Sequence, residues 1–284
     1  MAETIARPSV EELAAAVGRL PALPATVRAV MDACDGQEAD SRDVARLVLS
    51  DQGLTANLLR LANSAAYGHR RRVSTVSDAV VIMGLSAVKS LAISCHTAQL
   101  LGRSLPGYEM QRGDLWRHSL SVAFLSRRLT GGGGAAAEEA FVAGLLHDVG
   151  KVVLSEALGD AFDELTHVAQ SGRCSLSDSE RDMLGFDHAD LGARIAATWG
   201  FPERLVEVIG LHHRPEEAAS APDLAACVAL ADTVSHALAG GIGAGDIHHL
   251  ADPGHLDALG LDEIGLSRLV AEMAPLLTTD PLAE

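Results

Sequence analysis

Residues 144 to 151 read GLLHDVGK, an apolar run that ends on a histidine and an aspartate side by side, then glycine and lysine. A metal ion could use His147 and Asp148 together, since imidazole and carboxylate are both good ligands. An ordinary helix end with two polar residues facing water would read the same way. Further side chains of the same kind follow. His118 lies in WRHSL, His188 follows Asp187 at a helix start, and His212 and His213 end another helix. Asp232 sits inside CVALADTVSH, which is otherwise apolar. A mixed imidazole and carboxylate set suits Fe, Mn, Zn or Ni more than Mg alone. One or two such divalent ions would acidify a water and let it attack a phosphorus centre. Taken singly, each histidine has a plainer reading as a structural or solvated residue, and His213 can simply cap carbonyls. Asp232 differs. A carboxylate among apolar neighbours is expected to be buried or half-buried and, where buried, needs a partner, either a metal or an Arg or His on a facing helix. The metal reading gains from the order H…HD…H…HH…D, spread over five expected helices.

The elements that must carry these residues read as helical throughout. The chain has 284 residues, rich in Ala and Leu, with aromatics at only 3%. Straight-chain residues and Ala lose little entropy in a helix. SVEELAAAVGRL opens the chain, and the PALP segment breaks it. ATVRAVMDAC follows, then SRDVARLVL with Ser41 as its expected cap, then DQGLTANLLRLANSAAYG. STVSDAVVIMG and LSAVKSLAISCHTAQLLG form a pair broken at Gly84. After SLPGYEMQRGD come WRHSLSVAFLSRRL, a TGGGGAAA loop and AAEEAFVAGLLHDVG. Further helices are expected at VLSEALGDAFDELTHVAQ, SLSDSERDMLG, DHADLGARIAATWG, PERLVEVIGLHH and DLAACVALADTVSHALAG, with a last one near LDEIGLSRLVAEMAPLL. The expectation is an all-α protein of two packed lobes. An N-terminal lobe spans 1–108, a lobe with the candidate metal site 109–240, and a helical extension 241–284.

Charge and composition exclude several classes. With 22 Lys plus Arg against 38 Asp plus Glu, the net charge is −16, which counts against DNA and anionic membranes as partners. STVSDAVVIMGLSAVKSL has the outline of a helix-turn-helix, yet its second helix is apolar with one lysine, as a core helix would be. The only dense basic run is HRRR at 69–72. Cys34, Cys95, Cys174 and Cys227 form no C-x-x-C, as expected of buried thiols in a reducing compartment. The N-terminus lacks the pattern of a secretory signal and no stretch reads as a membrane span, so a cytoplasmic protein is expected.

His118, the His147–Asp148 pair and Asp232 resemble the ligand set of the HD phosphohydrolase superfamily. His188, His212 and His213 extend the resemblance to its HD-GYP branch, in which two or three metals serve a cyclic-di-GMP phosphodiesterase. The same resemblance makes Asp114 a further candidate ligand and Lys151 a contact for substrate phosphate; the alternative for Lys151 is a solvated helix start. LPALPATVRAVM, SDQGLTANLLRLANSAAYG and VSDAVVIMGLSAVKSLAIS resemble the HDOD family specifically, with Asp51, Asn63, Ser64 and Gly84 at its recurrent positions. The Gly-Tyr-Pro loop of HD-GYP proteins is absent, and HHRPEEAASAPDL stands in its place. The HDOD resemblance implies a signalling module that acts on proteins in trans, with a nucleotide or cyclic dinucleotide as a conceivable ligand. The retained ligand set implies, as the alternative, a metal-dependent phosphohydrolase.

Overall fold

The computed structural model describes residues 17–18, 20–36, 39–67, 71–158, 175–240 and 250–277. Most of SVEELAAAVGRL, residues 69 and 70 of the basic run, Cys174 and the stretch after Leu158 lie outside the described residues. Among the described residues there are α-helices, short 3-10 turns and one isolated bridge between Leu105 and Met110, with no strand.

The first lobe contains α1 (Ala25–Asp35), α2 (Ser41–Leu49), α3 (Gln52–Ala62), α4 (Val76–Met83) and α5 (Leu85–Leu101). Local signals set most of these ends. The Asp51 carboxylate accepts from the Leu54 amide at 2.9 Å, and the Thr75 hydroxyl from the Asp78 amide at 3.0 Å. One expected cap is displaced by a residue. Asp40, not Ser41, caps α2, because Asp40 has the extended backbone and its carboxylate reaches the Arg42 amide at 2.7 Å. Gly84 separates α4 from α5 with φ of +85°, a conformation a side chain would strain.

The second lobe contains α6 (Asp114–Leu129), α7 (Gly134–Leu146), α8 (Gly150–Leu158), α9 (Leu176–Leu184), α10 (His188–Thr198), α11 (Glu203–Leu211) and α12 (Pro222–Ala239). Two further helices follow, α13 (Pro253–Ala258) and α14 (Glu263–Leu277). The helix begins two residues before the expected AAEEAFVAGLLHDVG, at Gly134, so that Ala135 to Ala137 of the expected loop lie in α7, as alanine's helix propensity favours.

Helix α5 joins the two lobes. It packs on α1, α3 and α4 and also on α7. Ala87, Val88, Leu91, Ala92 and Ile93 are buried in it, so the helix-turn-helix candidate is a core element. The apolar residues of both lobes form one continuous cluster, from Leu58 and Leu91 through Phe141 to Val228. Helix α14 returns to pack on α6 and on the turn at Ala65–Tyr67, and Glu272 on it pairs with Arg128. Among the described residues no helix is long and apolar enough to cross a membrane.

Asn63 closes α3 and also anchors the following loop. Its amide nitrogen donates to the Leu59 and Val73 carbonyls at 2.7 and 2.8 Å, and its oxygen accepts from the Val73 amide at 2.8 Å. Asn63→Ala is expected to lower stability by about 1–3 kcal/mol in denaturant unfolding. Asp at the same position should not restore it, because a carboxylate cannot donate to the two carbonyls.

Candidate metal centre

Four helix ends and two helix interiors bring the polar residues together. His118 projects from the second turn of α6, and His147 and Asp148 occupy the turn between α7 and α8. His188 is the first residue of α10. His212 and His213 follow the end of α11, and Asp232 faces inward from the middle of α12. His147, Asp148, His188 and His212 are buried, while His213 lies on the exposed rim.

Small residues make this convergence possible. A Cβ on Gly144 would lie 2.9 Å from the Val122 backbone, so α6 and α7 cross there at close range. A Cβ on Gly150 would overlap the His188 carbonyl oxygen. The glycine of HDVGK is therefore what lets the start of α8 meet the start of α10. Asp187 then sets the α10 terminus, exchanging side-chain and backbone hydrogen bonds with Asp190.

Asp148 stands between two groups of imidazoles. Its Oδ2 lies 3.5 Å from His118 Nε2 and 3.4 Å from His147 Nε2. Its Oδ1 lies 3.2 Å from His188 Nε2 and 3.8 Å from His212 Nε2. Asp232 Oδ1 completes the first group, 3.0 Å from His118 Nε2 and 3.5 Å from His147 Nε2. His213 completes the second, with Nε2 2.8 Å from His188 Nε2. Ligand atoms within 4.8 Å of one another recur in three overlapping sets: His118, His147 and Asp232; His147, Asp148 and His212; His188, His212 and His213.

The hydrogen bonds on the far side of the rings fix their orientation. His147 donates Nδ1–H to the Gly144 carbonyl at 2.7 Å, and His212 donates Nδ1–H to the Ile209 carbonyl at 2.8 Å. His188 directs Nδ1 to the Glu180 carboxylate at 2.6 Å. Because a carbonyl or carboxylate can only accept, each Nδ1 carries the proton and each Nε2 faces the centre. Three buried atoms there lack a well-formed hydrogen bond: Asp148 Oδ1, Asp232 Oδ1 and His212 Nε2. These atoms have only ion-pair contacts of 3.0 to 3.8 Å within the cluster, and buried oxygens and nitrogens that converge without a well-formed hydrogen bond suit a divalent cation. The residues present therefore fit a metal, with Asp148 offering one oxygen to each side.

The electrostatics of the bare chain follow from the same contacts. Burial opposes a charged His147, but Asp148 and Asp232 outweigh it and push its pKa up to about 10. Burial likewise opposes a charged His188, and Glu180 and Asp148 outweigh it, raising the pKa to about 9. His212 goes the other way, down to about 3, through burial and the charges of His147 and His188. For Asp148, burial is overcome by His147 and Lys151, which hold its pKa well below the usual carboxylate range.

Lys151 and Asp114 sit where spacing alone would not put them. Lys151 is buried, not solvated, and its ammonium lies 2.5 Å from Asp148 Oδ2. Asp114 stays outside the cluster: it pairs with Arg117 and accepts from the Gln111 amide, which uses both its oxygens at the start of α6. Four residues now seen around the centre were not singled out from sequence. Glu180 and Tyr108 back His188, while Ser235 and His236 flank His118. His236, one turn after Asp232 on an expected helix, had a legible signal in that spacing. A cavity of about 570 Å³ opens beside His118, lined by Asp114, Arg117, Ser121, Ser235 and His236 among others.

The HDOD domain profile matches residues 20–215. A solved structure from Shewanella amazonensis, provisionally named a phosphohydrolase, superposes with a TM-score of 0.75 at 25% identity, covering 95% of this chain and 98% of that one. An HDOD domain protein of unknown function from Geobacter sulfurreducens superposes with a TM-score of 0.71 at 26% identity, covering 93% and 94%. Ribonuclease Y of Mycoplasma mycoides is 30% identical over 155 residues, which is 54% of this chain and 25% of that protein. Matches to the first curated relatives span 39% and 25% of those proteins' own lengths.

Gly150→Ala tests the packing that assembles the cluster. The added methyl has the His188 carbonyl in its way, so a loss of about 1–3 kcal/mol is expected in thermal unfolding. Metal uptake, measured by equilibrium dialysis, should fall with it, because His188 must shift to admit the methyl.

Proposed function

Starting from a chain that belongs to the HDOD domain family, we propose a regulatory module whose second lobe would hold one or two divalent transition-metal ions. His118, His147 and Asp232 form one group of candidate ligands and His188, His212 and His213 the other, with Asp148 between them. The observation that carries this reading is the set of buried ligand atoms that lack a well-formed hydrogen bond, Asp148 Oδ1, Asp232 Oδ1 and His212 Nε2, in a shell whose rings are already oriented. The ligand chemistry favours Fe, Mn, Zn or Ni. The module works in the cytoplasm on signalling proteins in trans, with residues 1–108 as the N-terminal helical lobe, 109–240 as the metal lobe and 241–284 as a helical extension.

The cavity beside His118 is the entry for a phosphate-bearing ligand such as a nucleotide or cyclic dinucleotide. Ions at the centre supply positive charge for a phosphoryl group and a more acidic water. Arg117 borders that cavity and is held by Asp114. Lys151 neutralises Asp148 and meets substrate phosphate only by leaving it. The second reading is a metal-dependent phosphohydrolase. The full ligand set next to an open cavity favours it, as does the likeness to Ribonuclease Y. The net charge of −16 counts against a long nucleic acid as the substrate.

Elemental analysis of tag-free protein purified without chelator is expected to find roughly one or two equivalents of a transition metal. Chelation should then lower the melting temperature by roughly 5–10 °C, given about 2.7 kcal/mol from a site loaded at a hundred times its Kd. An unchanged melting temperature after complete metal removal would sink the structural part of the idea. Asp148→Ala should abolish uptake while the first lobe stays folded by hydrogen exchange. Turnover of cyclic dinucleotides or nucleotide phosphates by the loaded wild type, lost in Asp148→Ala, would favour the hydrolase reading over the purely regulatory one.

A further inference from the structure

Among His118, His147, His188 and His212, only His188 has a carboxylate on its Nδ1. His147 and His212 donate to backbone carbonyls, and His118 faces the Ser235 hydroxyl at 3.3 Å. Glu180, on α9, is fully buried eight residues before His188. Its Oε2 accepts from both the His188 backbone amide at 2.7 Å and Nδ1 at 2.6 Å. Its Oε1 accepts from the Tyr108 hydroxyl at 2.8 Å. Tyr108 ends the 3-10 turn Pro106–Tyr108, within the segment that joins the lobes. Its ring stands edge-on to His188, with centroids 6.5 Å apart, and lies 5.7 Å from the Lys151 ammonium. Helix α8 packs on the same turn.

We infer that Glu180 is a positioning residue for the His188 side of the centre, and that through Tyr108 it ties this side to the turn between the lobes. The inference rests on the metal-centre reading above. Its physical content is an inequality between the two ion positions. A carboxylate behind an imidazole locks the ring plane and makes Nε2 a stronger donor, whereas a neutral carbonyl does less. The two hydrogen bonds to one oxygen, from the ring and from the backbone of the same residue, remove the freedom of His188 to rotate away. The His188 side therefore fills first, and the His118 side, open to the cavity, fills second. The carboxylate that produces this order is also held by Tyr108. Loading of the tighter position accordingly restrains the Pro106–Tyr108 turn.

The test uses the full chain stripped of metal, as wild type, Glu180→Gln and Tyr108→Phe. Co²⁺ is titrated against a competing chelator and followed by its visible absorption. Wild type should show two separable steps. In Glu180→Gln, which preserves the shape and can still accept from His188, the tighter step should weaken by about 10–100-fold with a changed absorption band. The weaker step should shift less than the tighter one, because Glu180 contacts His188 and Tyr108, whereas only the shared Asp148 links that side to His118, His147 and Asp232. Tyr108→Phe should weaken the same step by less, and should lose the metal-induced hydrogen-exchange protection of residues 105–110 seen in wild type. A merely structural Glu180 would lower the metal-free melting temperature and leave both steps as they were, which would overturn the inference. If Glu180→Gln does not fold, Tyr108→Phe decides: an unaltered tighter step would overturn it. Wild type that takes up no Co²⁺ would instead bring down the metal-centre reading, and this inference with it.

Discussion

The second lobe is organised around one buried negative charge. Asp148 has almost no solvent exposure, and a carboxylate taken out of water costs several kcal/mol unless cations or donors surround it. The chain surrounds it completely. Lys151 takes Oδ2 at 2.5 Å, His118 and His147 stand beside the same oxygen, and His188 and His212 stand beside the other. In the bare chain protons on His147 and His188 supply part of the compensating charge, which is why both pKa values are raised. A divalent ion would replace those protons at the same Nε2 atoms. The arrangement thus has a defined way to be stable both bare and loaded, and Lys151 is common to both.

That compensation depends on backbone contacts that leave no room for side chains. The HDVGK turn must touch the start of α10, and only a residue without a Cβ at 150 allows it. Gly192 and Gly210 do the same one layer out, where added methyls would meet Ile209 and Ala193 at 3.0 Å. Packing that is this close is intolerant of volume changes. Helix α5 extends the constraint to the first lobe. Its apolar residues belong to the same continuous core as Phe141 and Leu145, on the helix that leads into His147. The lobes share packing as well as a chain.

Much of this was legible in the sequence, and the parts that were not share a cause. Helices with a strong apolar period and a distinct cap could be read. So could the inward course of Asp232, because a carboxylate flanked by CVALA and TVSHAL is carried into the core with its apolar neighbours. The HDOD and HD-type motifs brought His118, His147, Asp148, His188, His212 and His213 into one candidate set, and the fold puts them within reach of one another. Glu180 escaped notice because SLSDSERDML is rich in acids, and an acidic surface helix has the same composition. Nothing in that string distinguishes the buried carboxylate from its solvated neighbours; the distinction is made by α10 packing against α9. Tyr108 was hidden similarly, in a loop whose partner lies 72 residues away in sequence. Lys151 and Asp114 had legible positions but not legible partners. Local spacing says which face a residue is on, and tertiary contacts decide what it meets there.

The loop after the histidine pair has its own local logic. Where HD-GYP proteins would continue into Gly-Tyr-Pro, this chain runs HHRPEEAAS. The segment is pinned from below by Glu207 on α11, whose oxygens accept from the Ala219 and Ser220 amides at 3.0 and 2.9 Å and also from the Ser220 hydroxyl. Arg214 and Glu217 close it further with an ion pair at 2.7 Å. A loop held this way returns directly to Pro222 and the start of α12, the helix that carries Asp232. It stays off the His118 side, where the cavity is lined by α6, α12 and α14 instead. The two histidines at the start of this loop serve the candidate ligand shell, and the remainder of it bonds to Glu207 and leads into the helix of Asp232.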